Sequence, residues 1–164
     1  MLPHLDAAYN LARWLAGNDP DAQDVAQEAS LRAFKFFGSF RGENARAWLL
    51  RIVRNTFYDW LAKNRPAEMV GTIDEQALEV EDGAANAEAN HLRRADADTV
   101  RRAIAELPVT FREVIILREM EGLDYQAIAG LSEVPIGTVM SRLSRARRLL
   151  QKRLAGEFKP GGQR

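Results

Sequence analysis

Apolar residues recur along this chain at intervals of three and four, the spacing that lines one face of a helix. Leu11, Trp14 and Leu15 share such a face, and Val25, Ala29 and Phe36 suggest a second helix. Trp48, Leu49, Ile52, Val53, Thr56, Phe57 and Trp60 follow the same rule for a third. No stretch of these positions alternates as a strand would, so the pattern predicts an all-α protein. Asn18-Asp19-Pro20 and residues 38–44 read as loops between helices. Farther along, 86–106 predicts a long helix that stops ahead of Pro108, because the residue before a proline is pushed out of helical geometry. Shorter helices are predicted over 109–119, 124–131 and 136–154.

Between the two helical stretches the pattern lapses. Residues 66–85, PAEMVGTIDEQALEVEDGAA, hold scattered apolar positions, two glycines and an acidic excess, which reads as a flexible linker. A short surface helix over 75–80 is the alternative there. The chain thus divides into a helical unit over 1–65, the linker over 66–85, a second helical unit over 86–157 and a disordered tail over 158–164.

Charge sharpens that division. The 23 basic and 23 acidic side chains cancel overall, yet residues 1–65 carry nine Arg/Lys against seven Asp/Glu and 66–98 carry two against nine. Residues 99–164 carry twelve against seven. A polyanion responds to potential within a Debye length of about 10 Å, so the local excess matters more than the net of zero. Other features narrow the class. No apolar run approaches the ~18 residues that cross a bilayer, and the N-terminus lacks a signal-peptide pattern, so a cytoplasmic location is expected. With no cysteine, disulfides and thiolate metal sites are excluded. The two histidines, His4 and His91, fall in no metal or nucleophile spacing, and no cofactor, small-molecule substrate or enzymatic activity is expected.

The basic excess concentrates in 133–153, EVPIGTVMSRLSRARRLLQKR, where six cations follow Glu133. Asp124 is placed to cap the helix YQAIAGL, a tight SEVP turn follows, and Pro135 leads into a longer helix. Helix, turn and longer helix make a helix-turn-helix. In the second helix Val139, Leu143, Ala146, Leu150 and Leu154 form the packing stripe, leaving Thr138, Ser141, Arg142, Arg145, Arg148 and Lys152 opposite. A helix read in the major groove needs such small or hydrogen-bonding residues first and arginines after them. A solvated basic face near a C-terminus has the same composition.

Longer strings supply the specificity. LPVTFREVIILREMEGLDYQAIAGLSEVPIGTVMSRLSRARRLL resembles region 4 of the extracytoplasmic-function sigma factors of bacterial RNA polymerase. DAQDVAQEASLRAF resembles the family's region 2.1–2.2 helix, and SFRGENARAWLLRIVRNTFYDWL resembles regions 2.3 and 2.4. The resemblance implies two helical domains that bind core polymerase, at the beta-prime clamp and the beta flap, and direct initiation at promoter DNA. It further implies an anti-sigma factor as inhibitor.

Carried onto this sequence, the resemblance assigns residues. Asp24, Gln27, Glu28 and Leu31 would meet the clamp; Asp24, Gln27 and Glu28 share a face by spacing, which gathers acceptors suited to an arginine-rich partner. Phe40, Arg41, Gly42, Asn44, Trp48, Arg51, Arg54 and Asn55 would hold the minus-10 element, with the loop FRGENAR taking a flipped base. Trp48, Phe57 and Trp60 lie in the apolar stripe, which favours burial over base stacking for each. Tyr125, Thr138, Ser141, Arg142, Arg145, Arg147 and Arg148 would meet the minus-35 element, Thr138, Arg147 and Arg148 nearer the phosphates. Two departures stand out. Met140 and Ser144 replace residues that are basic and aromatic in some members, and Glu133 stands where glycine is frequent, which implies strain if that position takes a positive φ.

Twenty flexible residues have a root-mean-square span of about 25 Å and a limit near ~70 Å. Two turns of DNA measure about 70 Å, so both promoter elements are reached only with the linker drawn out, as it would be on the polymerase. The competing reading is a stand-alone helix-turn-helix regulator, which leaves the first 65 residues without a role.

Overall fold

The structure, a computed structural model, describes residues 4–40, 42, 44–71 and 97–157. Among these the regular elements are helical, as the periodicity predicts. The first unit comprises α1 (Leu5–Ala16), α2 (Asp19–Lys35), a 3-10 turn (Phe37–Ser39) and α3 (Ala45–Asn64). The three helices pack on one another around Leu11, Leu15, Val25, Leu50, Val53, Phe57 and Leu61, all fully buried. Alanines at 12, 16, 22, 29 and 33 line the same seam, and their small side chains let the helix axes approach.

The joints are set by local chemistry. Gly17 closes α1 in a left-handed conformation that a Cβ would disfavour, donating its N–H to Arg13 O. Asn18 caps α2 by accepting from the Asp21 N–H at 2.9 Å, so Asp19 and Pro20 are the first helical turn and not part of a loop. The Asn18 side-chain amide, and after it Arg65, hold the Asp21 carboxyl below its ordinary value of 3.8. A depressed carboxyl stabilises the fold above that value and loses its contribution as pH falls through the folded one. The melting temperature therefore drops between about pH 5 and pH 3, and Asp21→Asn, measured by circular dichroism, drops less over that interval. Phe36, expected to pack with Val25 and Ala29, ends α2 half-exposed because the helix terminates before that side chain reaches the core.

The expected linker does not start at 66. Pro66–Gly71 forms a short helix, α4, that packs on α3. Proline suits a first helical position, and Glu68 in the first turn accepts from Arg65. The alternative helix at 75–80, the first part of the predicted 86–106 helix and the tail at 158–164 lie outside the described residues.

The second unit holds α5 (Ala97–Ala105), α6 (Val109–Ile115), α7 (Tyr125–Ser132) and α8 (Ile136–Glu157). Helix α6 was expected to run to 119, but it widens into a π turn over Ile116–Met120, where Glu121 N–H reaches back five residues to Ile116 O. Asp124 caps α7 as expected, accepting from Ala127 N–H at 2.8 Å. The stripe Val139, Leu143, Ala146, Leu150 and Leu154 is buried in full against α5, α6 and α7.

The two units do not stand apart. Helix α3 packs on α7, α1 on α6 and its π turn, and α4 on α6, and the buried apolar residues of both units form one cluster. Arg112, buried in α6, donates to Leu15 O at the end of α1 and to Leu107 O at 3.2 Å, with the Glu68 carboxylate 3.5 Å away.

Candidate nucleic-acid and polymerase interfaces

Helix α2 presents its outer face to solvent. Asp24, Gln27, Glu28 and Leu31 are all exposed there, as the spacing requires. Glu28 is drawn sideways by Arg32, which it meets at 3.2 Å and which also binds Asp59 at 2.8 Å. Leu31 is 66 % exposed, and Phe34, one turn on, is 85 % exposed. Gln23, Ala26, Gln27, Ser30, Leu31 and Tyr9 line a shallow depression beside them. The face therefore combines acceptors with an uncovered apolar end, which suits a protein partner better than solvent. Phe34 was missed in the sequence, although its spacing of seven from Gln27 and three from Leu31 places it on the same face.

The loop before α3 turns at Gly42, whose φ of 83° favours glycine, and Asn44 caps α3 by accepting from Ala47 N–H at 3.0 Å. Phe40, Phe37 and Trp48 form an aromatic cluster there, with Phe40 and Trp48 centroids 5.0 Å apart and Phe37 half-exposed. Arg41 lies outside the described residues. Phe57 is fully buried, whereas Trp48 and Trp60 are only partly covered, and Arg65 lies over the Trp60 ring.

Three arginines of α3, Arg46, Arg51 and Arg54, point toward the second unit. Arg54 donates to Glu113 at 2.8 Å and to the side chain of Asn55 at 3.2 Å. Glu113 is 0 % exposed and also accepts from Tyr58 at 2.7 Å and Ser132 at 2.7 Å. Burial, the largest single influence on the Arg54 guanidinium, lowers its pKa, but the charge and hydrogen bond of Glu113 together with the Tyr58 and Glu133 charges outweigh it, and the net shift is upward. Burial, reinforced by Glu113, pushes the Tyr58 hydroxyl well up, against a smaller downward pull from Arg54 and Arg142. Arg46 binds the Glu121 carboxylate at 2.7 Å and its backbone carbonyl, and Arg51 pairs with Glu133.

Helix-turn-helix geometry is present in α7 and α8. Glu133 closes α7 with φ 61° and ψ 45°, the left-handed region, at a cost of roughly 1–3 kcal/mol relative to a relaxed residue. On α8, Ser141 is exposed, Thr138, Arg142, Arg145 and Arg148 are partly buried, and Met140 is exposed beside them. Arg148 also contacts Ser144 at 2.9 Å. Arg147 is drawn back into its own unit, donating to Glu119 at 2.7 Å, with Tyr125 a second partner. Tyr125 in turn lies under the Arg118 guanidinium at 5.0 Å.

This arrangement of a helical unit with a capped α3 and a second unit ending in a helix-turn-helix agrees with two family models, Sigma-70 region 2 over residues 2–66 and Sigma-70, region 4 over 97–150. The chain belongs to the extracytoplasmic-function RNA polymerase sigma factors. It is 40% identical over 141 residues to the RNA polymerase sigma-H factor of Pseudomonas aeruginosa, covering 82% of this chain and 73% of the relative. It is 37% identical over 143 residues to the ECF RNA polymerase sigma-E factor of Escherichia coli K12, covering 82% and 74%. Among solved structures it is similar to the sigma factor RpoE of Bartonella quintana, crystallised with the anti-sigma factor NepR, at 30% identity. That match has a TM-score of 0.71 and covers 93% of this chain and 92% of the other.

Within this sigma factor the expected site residues separate into three groups. The α2 face is open, Ser141 of α8 is exposed with Arg142 and Arg145 partly exposed beside it, and Arg51 and Arg54 are engaged by region 4. The acidic partners Glu113 and Glu121 were not singled out in the sequence. Glu113 did leave a signal, because it is a charge inside the apolar run FREVIIL, where a buried carboxylate requires donors.

Proposed function

We propose that this sigma factor is a non-catalytic cytoplasmic initiation factor that docks on the core-polymerase clamp through Asp24, Gln27, Glu28 and Leu31 of α2. Phe34 extends that face. Region 2 opens and reads the minus-10 element with Phe40, Arg41, Gly42, Asn44, Trp48, Arg51, Arg54 and Asn55. Region 4 reads the minus-35 element through α8, with Ser141, Arg142 and Arg145 at the bases and Thr138 and Arg148 at the phosphates; Tyr125 and Arg147 support the helix. An anti-sigma factor holds the protein inactive, as the similarity to an inhibitor-bound sigma factor supports.

The observation that carries this reading is the pairing of an open acceptor-and-apolar face on α2 with a helix-turn-helix whose packing stripe is buried and whose opposite side carries an exposed Ser141 with Arg142 and Arg145 partly exposed. Run-off transcription tests it. Core polymerase alone does not start at the cognate promoter, and adding the chain starts it; tight duplex binding without any transcription would mean a stand-alone regulator. Asp24→Ala combined with Leu31→Ala should weaken capture of core by about tenfold, equivalent to about 1.4 kcal/mol, while leaving the melting temperature unchanged because both side chains are exposed. Pull-down of core with the purified variants measures this, and undiminished capture would remove α2 from the clamp.

A further inference from the structure

Two large apolar side chains stand uncovered at the start of α8. Ile136 is 47 % exposed and Met140 is 51 % exposed. They are four residues apart, so they lie one turn from each other along the same flank of the helix. That flank is not part of the packing stripe, because Val139, Leu143 and Ala146 fill that role and are buried. Nor is Met140 crowded. Gly137, Ser141 and Ser144 surround it on the helix and are all small and all exposed, and a Cβ at Gly137 would meet nothing within 4 Å. The thioether therefore stands above its surroundings.

Position decides what such a ridge can meet. The first turns of a recognition helix are the part that reaches base edges, and Ser141 beside Met140 is a hydrogen-bonding residue suited to the same groove. A methionine has no charge for a phosphate and no donor for a purine acceptor. In the major groove thymine alone among the four bases presents a methyl group, and an apolar side chain is what reads it. Two side chains flanked by glycine and serines are too small a patch for a protein partner, which covers about 20 residues a side. We propose that Met140 is a specificity-determining residue of the minus-35 contact, seating its thioether on the C5-methyl group of one thymine, with Ile136 closing the apolar side of that contact. The proposal rests on the assignment of α8 to the minus-35 element and goes beyond it by naming a base and the group by which it is read. The unbranched methionine side chain can follow that methyl group as the helix seats. Such a contact releases no counterion, so it adds selectivity without adding salt dependence.

Selection by the polymerase holoenzyme, core with the full chain bound, tests this. From duplexes randomised over the minus-35 segment, the parent should enrich thymine at one position. Met140→Ala should lose that enrichment while keeping selection at the other positions, with unchanged helicity because alanine suits an exposed helical position. On the selected duplex, replacing that thymine by deoxyuridine removes only the methyl group. The parent should then bind about fourfold more weakly, the factor for one methyl group taken from water, and Met140→Ala should bind both duplexes equally. Met140→Arg should also lose the thymine preference, and its binding should become more salt-dependent by about one counterion, whereas Met140→Ala keeps the salt dependence of the parent. Equal loss on deoxyuridine in the parent and Met140→Ala, or thymine enrichment that survives Met140→Ala, would overturn the proposal. So would weaker capture of core by Met140→Ala with promoter selectivity intact, which would give the ridge to polymerase. In each of these cases the holoenzyme still selects a minus-35 sequence, so the assignment of α8 stands; a holoenzyme that selects none sinks both.

Discussion

Glu113→Ala should lower the unfolding free energy by about 3–5 kcal/mol, the largest loss expected from any single polar substitution considered. The carboxylate is fully buried and accepts from Arg54, Tyr58 and Ser132. Removing it leaves a buried guanidinium and two hydroxyls without their shared acceptor, and the cost is the desolvation of those groups more than the lost attraction itself. Ser132 belongs to the helix-turn-helix and the other two donors to α3, so the loss should appear both in the stability of region 4 and in its docking on region 2. Urea unfolding measures it, with Tyr58→Phe as the graded control at about 0.5–1.5 kcal/mol, since two donors then remain on Glu113. Asp98→Ala, which deletes a pair between exposed side chains, should leave the curve unmoved.

Arg145→Ala should weaken promoter binding by the polymerase holoenzyme by about 1–3 kcal/mol, or roughly fivefold to 150-fold, while capture of core is unchanged. Arg145 stands on the half-open side of α8, one turn beyond Ser141 and opposite the buried stripe. Arg147 provides the contrast. Its guanidinium is committed to Glu119 and Tyr125, so Arg147→Ala should cost stability while changing promoter affinity less. Filter binding of holoenzyme to a promoter fragment separates the two, and equal losses would show that Arg147 leaves its partners to reach DNA.

The helices were readable because burial of one face leaves a period of three to four in the sequence. On α8 the stripe was legible to the residue, and Asp124 as a cap followed from its side-chain chemistry. Helix α4 was hidden by composition: an acidic, glycine-bearing stretch reads as linker, and Pro66 as a first helical residue was outweighed. Docking of region 4 on region 2 was hidden for a different reason. The pairs Arg46–Glu121, Arg51–Glu133 and Arg54–Glu113 join residues 59 to 82 positions apart, and no local period encodes such a partner. The sequence did show Glu133 as a departure at a position where glycine is frequent. Its physical reason, a reach across to Arg51, became visible only with both units in place.

The site divides along the same line. The solvent-facing positions of Asp24, Gln27, Ser141 and Arg145 could be placed from spacing alone. Arg51 and Arg54 could be placed on the correct helix, but whether that helix is open or covered is a property of the assembled molecule.

This sigma factor is expected to grip a promoter only with core polymerase present. Footprinting at physiological salt tests this directly. The chain alone should leave the minus-35 and minus-10 segments unprotected, and the same chain with core should protect both. Equal protection by the chain alone would contradict the account.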